Sequence, residues 1–151
     1  MLPTTRERVS RNTSDCVNEQ IRRHTAERVQ RLAGTSPQEI ERRLRELDEE
    51  WDIERCLETM APTITLLGIG LGLTISKKWF ALPLAVQAFF LQHALQGWCP
   101  PIPVLRRLGV RTQTEIDEER YALKAVRGDF HGAEEDGKYG DARLALHAAE
   151  A

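Results

Sequence analysis

The sequence predicts an all-α protein built on a membrane helical hairpin, two transmembrane helices with amphipathic cytoplasmic helices on both sides. Three observations lead there. Thr59 to Leu105 holds two apolar runs separated by the single charged pair Lys77-Lys78. Residues 1–60 carry 11 basic and 13 acidic side chains, residues 61–100 carry two and none, and residues 101–151 carry eight and ten. The flanks show helix start signals and helical spacing of apolar residues rather than the alternation of strands. The mean hydropathy of −0.43 therefore averages over unlike parts.

Residues 1–35 read as a mobile tail followed by a short helix. The first 14 positions are polar and rich in Thr, Ser and Arg, too poor in apolar groups to offset the entropy of ordering. From Val17 the positions Val17, Ile21, Val29 and Leu32 recur at helical spacing, with Gly34 as the stop. Residues 36–58 read as a charged amphipathic helix. Ser36-Pro37-Gln38-Glu39 offers a capping serine, a proline at the first helical position and a glutamate three residues after the cap. Ile40, Leu44, Leu47 and Trp51 form a seam that needs a partner, and Glu39/Arg43 and Glu41/Arg45 have the favourable i,i+4 order.

The hairpin occupies residues 59–105, with spans at about 59–76 and 79–98. The first span is 18 uncharged residues, about 27 Å if helical, and the second is 20, about 30 Å, against a hydrocarbon core of about 30 Å. Pro62 marks a kink or the start of the first span, and Pro83 threatens to shorten the second. Trp79 and Trp98 sit where interfacial aromatics belong, and Lys77 and Lys78 can snorkel from the tip. Gly68 and Gly72 form one small-residue ridge, and Ala81, Ala85 and Ala88 another. In a hairpin turning at Lys77-Lys78, Gly72 would lie near the depth of Ala85 and Gly68 near Ala88, because close backbone approach drives helix association in lipid. The same glycines would equally serve a dimer.

Arginine and lysine set the orientation. Arg42, Arg43, Arg45 and Arg55 precede the spans and Arg106, Arg107 and Arg111 follow them, against two lysines at the tip, so both termini are expected in the cytoplasm. The prolines Pro100, Pro101 and Pro103 predict an extended exit. Residues 106–130 then form a cytoplasmic C-terminal helix, started by the capping box Thr112-Gln113-Thr114-Glu115 and ended at Gly128. Residues 131–151 read as a disordered tail.

A two-span hairpin ending in Gly97-x-Cys99-Pro100 and followed by Leu-Gly-Val-Arg-Thr, Leu108 to Thr112, resembles the YgaP-like inner-membrane protein family. The transmembrane module of that family occurs alone or joined to a rhodanese sulfurtransferase domain. The resemblance covers roughly Ile53 to Thr112 and implies a bacterial cytoplasmic membrane and homo-oligomer formation through the spans. No rhodanese domain accompanies the module in this sequence, nor a loop with a nucleophilic cysteine, so sulfurtransferase activity is not carried over.

The charge balance of −2, with signs interspersed, gives no basic field for nucleic acid. Cys16, Cys56 and Cys99 lack the spacing of a disulfide framework or a zinc site, and no metal or cofactor is expected. The N-terminus has no apolar core of a signal peptide, so the hairpin would be its own insertion signal. Three groups are candidates for chemistry. Cys99 is a thiol at the membrane exit, able to receive sulfur from a separate rhodanese or other cytoplasmic protein, or simply to pack. Gln92, His93 and Gln96 form a polar stripe in the second span, a path for protons or a source of interhelical hydrogen bonds. The acids Asp48, Glu49, Glu50, Asp52 and Glu54 and the arginines Arg106, Arg107 and Arg111 flank one membrane face and are expected to pair, or to be solvated separately. The expected function is a non-enzymatic, oligomeric membrane anchor or assembly platform. The alternatives are an accessory in sulfur transfer or redox handling through Cys99, and a soluble α-helical domain with the hairpin as its core.

Overall fold

The computed structural model describes residues 4–130, and the expected C-terminal tail lies outside them. Among the described residues there are helices and turns and no strands. The α-helices are α1 (Asp15–Leu32), α2 (Pro37–Glu49), α3 (Ile53–Thr74), α4 (Ala81–Gln96), α5 (Ile102–Arg107) and α6 (Gln113–Arg127). They fall into two compact units. One holds the described residues of Met1–Arg23 together with Trp51–Glu115, and the other holds His24–Glu50 and the described residues of Ile116–Ala151.

In the second unit, the α2 seam finds its partner within the chain. Ile40, Leu44 and Leu47 are buried with Ile116 and Leu123 of α6, and Val29 and Leu32 of α1 pack against them. Trp51 leaves the seam: it is 47% exposed, with the Arg55 guanidinium 4.7 Å from its ring centre. Its departure follows from a break that the sequence reading placed later. Glu50 is extended, and Asp52 caps a new helix by accepting the Arg55 N–H at 2.8 Å. The amphipathic helix therefore ends at Glu49 and not at residue 58. Pro37 takes the first turn as expected, but the Ser36 hydroxyl makes no capping bond. Of the two expected i,i+4 pairs Glu41–Arg45 forms at 3.3 Å, while Arg43 turns to Glu119, Glu46 and Glu50.

In the first unit, α3 and α4 form an antiparallel pair joined by the 3-10 turn Lys77–Phe80. Helix α3 runs through Pro62 without stopping. The missing N–H costs one backbone bond, and around it the hydroxyls of Thr59 and Thr63 bond the carbonyls four residues back at 2.8 and 2.7 Å. Pro83 lies in the first turn of α4, where its absent N–H has no helical acceptor to miss. The turn begins at Ser76, whose hydroxyl accepts the Lys78 N–H.

That placement corrects the expected register. Gly68 lies against Pro83 and Gly72 against the Phe80 ring, while Gln87 donates to Thr65 Oγ1 at 2.8 Å. The pairing is shifted toward the tip relative to a turn centred on Lys77-Lys78. Ala81, Ala85 and Ala88 are consequently exposed rather than set against the glycines. Gly70 has open space around it.

The exit from α4 is also tighter than the prolines suggested. Gly97 adopts φ +76, ending α4, and the chain starts α5 within a few residues rather than running extended. Pro101 caps α5 and Pro103 occupies its first turn. The capping box at α6 forms reciprocally, with Thr112 N–H to Glu115 at 2.8 Å and Glu115 N–H to Thr112 Oγ1 at 3.3 Å. Gly128 ends α6 at φ +91.

Candidate functional site

At the base of the α3–α4 pair, polar side chains from three separate stretches of the first unit converge. Residues 4–12, where composition predicts a mobile tail, are drawn into it. A 3-10 turn at Ser10–Asn12 follows Val9, which is 3% exposed and packs with Ile53, Leu57, Cys99 and Ile102. One apolar residue in a polar segment suffices because the polar neighbours reach fixed acceptors. Arg8 donates to the Ala94 carbonyl at 3.0 Å and Asn12 to the Gln96 carbonyl at 2.8 Å, satisfying carbonyls that the end of α4 leaves without helical donors. The Arg8 backbone lies so close to Gly97 that any side chain there would meet it, at 2.3 Å from an added Cβ.

Glu54 joins the two helices. Its Oε1 accepts from Arg8 at 2.8 Å and its Oε2 lies 2.8 Å from His93 Nε2. Burial pushes the Glu54 carboxyl up, but the His93 and Arg8 hydrogen bonds outweigh it and hold the carboxyl below its usual range. With Glu54 ionised, His93 Nε2 is the donor. His93 is 1% exposed, stacks on Phe90, and leaves Nδ1 buried without a partner. The polar stripe of α4 is therefore split: His93 bonds α3, while Gln96 is exposed and Gln92 half-buried.

Cys99 is buried in the same core at 3% exposure. Burial raises its thiol above the ordinary range, the Ile102 N–H pulls it partly back, and the Glu54 charge adds to the rise. A reactive thiol needs the opposite, an exposed electropositive setting that favours the thiolate. Cys56 is likewise raised by burial and by Asp52, and Cys16 is exposed. Among the described residues no three His, Cys, Asp or Glu side chains converge in a way that could hold a metal.

For Arg106, the expected pairing with the acidic run is replaced by another pair. Arg106, 1% exposed, makes a two-pronged bond to Glu115 at 2.6 and 2.7 Å and donates to Asn18 at 2.9 Å. Glu54 takes Arg8 and His93, Asp48 takes Arg120 at 2.7 Å, Glu50 takes Arg43 at 3.5 Å, and Asp52 caps α3. Glu49 and Arg107 are exposed. Arg111 is buried, and its carbonyl accepts the Ile53 N–H at 2.9 Å at the start of α3. Glu115 is the nearer anion for Arg106 because the capping box already holds it in the first turn of α6. In the second unit Glu119, fully buried, is clasped by Arg28 at 3.1 Å and Arg43 at 2.8 Å. Arg127 bridges Glu41 and Asp129, both pairs raising its pKa.

Beyond the base, the hairpin has the reverse of a water-soluble size distribution. Gly68 and Gly72 are buried between the arms, while Leu66, Leu67, Leu73, Leu84 and Leu91 point outward at 60–75% exposure. Lys77, Lys78 and Trp79 are exposed at the turn, and Trp98 is half-buried at the other end with its ring edge-on to Phe89 at 6.5 Å. By length and composition one stretch, Pro37–Thr74, whose apolar part is α3, could cross a membrane; α4 has 16 residues and falls short of that standard. No protein-family model, curated protein or solved structure matches the chain.

Proposed function

We propose that this protein is a small integral protein of a bacterial inner membrane, of the YgaP-like type, anchored by α3 and α4 with both termini in the cytoplasm. Its role is that of a non-enzymatic, homo-oligomeric anchor or assembly platform. The observation that carries the reading is the inverted packing of the hairpin: Gly68 and Gly72 of α3 are buried between the arms, while leucines of both arms, Leu66, Leu67, Leu73, Leu84, Leu91 and Leu95, face outward. In water such a run of outward leucines calls for a cover, whereas in lipid it needs none.

Dimensions are compatible with this. Past its charged first turns α3 has 16 uncharged residues, 59–74, about 24 Å, and α4 likewise has 16, about 24 Å, against a hydrocarbon core of about 30 Å. Both arms are completed by the turn at Lys77–Phe80, whose lysine stems can extend to the far interface. The excess of arginine on the outer flanks supports cytoplasmic ends. A sulfur-accepting role for Cys99 has less support, since the thiol is buried and held neutral. A soluble domain would need a further partner over the leucine faces.

Membrane fractionation with an alkaline carbonate wash tests the reading. Retention in the pellet is expected, and release into the supernatant would replace the integral reading with the soluble one.

A further inference from the structure

Between the arms, on the base side of Gly68, α3 and α4 leave a cleft of about 300 Å³. Leu57, Ala61 and Ile64 form one wall, Ala85, Phe89 and Phe90 the other, and Cys99 with the following prolines the floor. Its lining exposes no polar surface. The cleft exists because two alanines, Ala61 and Ala85, stand in its walls where larger residues would fill it. Ala85, expected in the helix-packing ridge, is instead a wall of this space.

We propose that the cleft is a binding site for one acyl chain of a membrane phospholipid. The inference rests on the membrane reading of the hairpin and adds a specific lipid site to it. A lining that exposes no nitrogen or oxygen cannot hold ordered water, which needs two or more polar partners, nor a peptide backbone. It selects hydrocarbon. The cleft is continuous with the outward apolar faces, Met60 and Phe89 being both exposed and part of its wall, so a chain enters sideways from the surrounding lipid. At its floor the chain passes from Pro101 into α5, whose exposed Arg107 lies about 9 Å further along the helix axis. The exposed guanidinium of Arg107, at the end of the helix that follows the cleft floor, complements the phosphate of a lipid whose tail occupies the cleft. Val104 on the same short helix and Leu108 at its C-cap, 58% and 75% exposed, provide apolar contact.

The test uses the full chain in phosphatidylcholine vesicles containing a phosphatidylcholine with a diazirine in one acyl chain. After irradiation, labelled residues are mapped by mass spectrometry. Labelling is expected on the outer leucines, Leu66 and Leu73, and also at Met60 and Phe90. In Ala85→Phe, whose ring grows into the cleft, labelling at Phe90 falls several-fold while that at Leu66 and Leu73 is unchanged. The smaller Ala85→Val gives an intermediate fall, which separates filling from misfolding. Outer-face labelling with an unlabelled cleft, or cleft labelling indifferent to both variants, overturns the site and leaves the membrane reading standing. A cleft cross-linked to a second copy of the chain overturns it in favour of a protein occupant. No labelling on either surface removes the membrane reading and the site with it.

Discussion

Gly68 and Pro83 meet so closely that no side chain fits between them: a Cβ built at Gly68 falls 2.5 Å from Pro83 Cδ. This contact, with Gly72 against Phe80, sets the register of the hairpin and leaves the third glycine, Gly70, facing outward. The three glycines thus have different roles.

Gly68→Ala should cost about 1–3 kcal/mol, because the new methyl forces the ring or the helix aside. Gly70→Ala meets nothing and should be neutral or stabilising by about 0.5–1 kcal/mol through reduced backbone entropy. Thermal unfolding of the two variants in detergent, compared directly, checks the register; equal effects would contradict it.

Glu54 and Glu115 both have carboxyls held below the ordinary value of 4.5 against opposing burial, Glu54 by His93 and Arg8, Glu115 by Arg106 and the Thr112 N–H. A depressed folded-state pKa contributes stability that is complete above about pH 4.5 and is lost as pH falls through the folded value. The melting temperature should therefore decline in acid. Glu54→Gln should lower it at neutral pH and flatten the acid decline, and Glu54→Gln combined with Glu115→Gln should flatten it further. An unchanged acid slope in the double variant would show that the two carboxylates are not the titrating groups.

Arg106 holds Glu115 with both arms of its guanidinium from a fully buried position. Arg106→Ala leaves that carboxylate without its main partner and should destabilise by about 3–5 kcal/mol in urea titration. Arg106→Lys should recover only part of this, since an ammonium cannot make the two-pronged bond. Arg107→Ala, at an exposed neighbour, should change stability by less than about 0.5 kcal/mol.

Cys99 should react slowly with maleimide in the folded protein and readily after unfolding, because burial both shields the thiol and disfavours its thiolate. Cys16, exposed on α1, should react at once. Fast modification of Cys99 in the native state, together with loss of function in Cys99→Ser, would revive the sulfur-accepting alternative.

Helix positions were largely legible in the sequence, because capping residues and stop glycines act locally: the Thr112–Glu115 box and Gly128 bound α6 as the pattern predicts. The break before Asp52 was readable in principle, as an aspartate three residues before the N–H it caps, but the acidic run around it hid the signal. The register of the hairpin was not legible, since it turns on Ser76 starting a 3-10 turn rather than on the charged pair after it. Least legible was the base site. Glu54 and His93 are 39 positions apart and Arg8 lies in a segment whose composition predicts no structure, so only the fold brings them together.

The central claim is that the turn at Lys77–Phe80 lies across the membrane from both ends of the chain. Lys78→Cys in intact cells, treated with a membrane-impermeant maleimide, addresses it most directly, with the exposed Cys16 as an internal control for the cytoplasmic side. The account predicts labelling at position 78 in intact cells and at Cys16 only after lysis. Labelling of both positions only after lysis would contradict it.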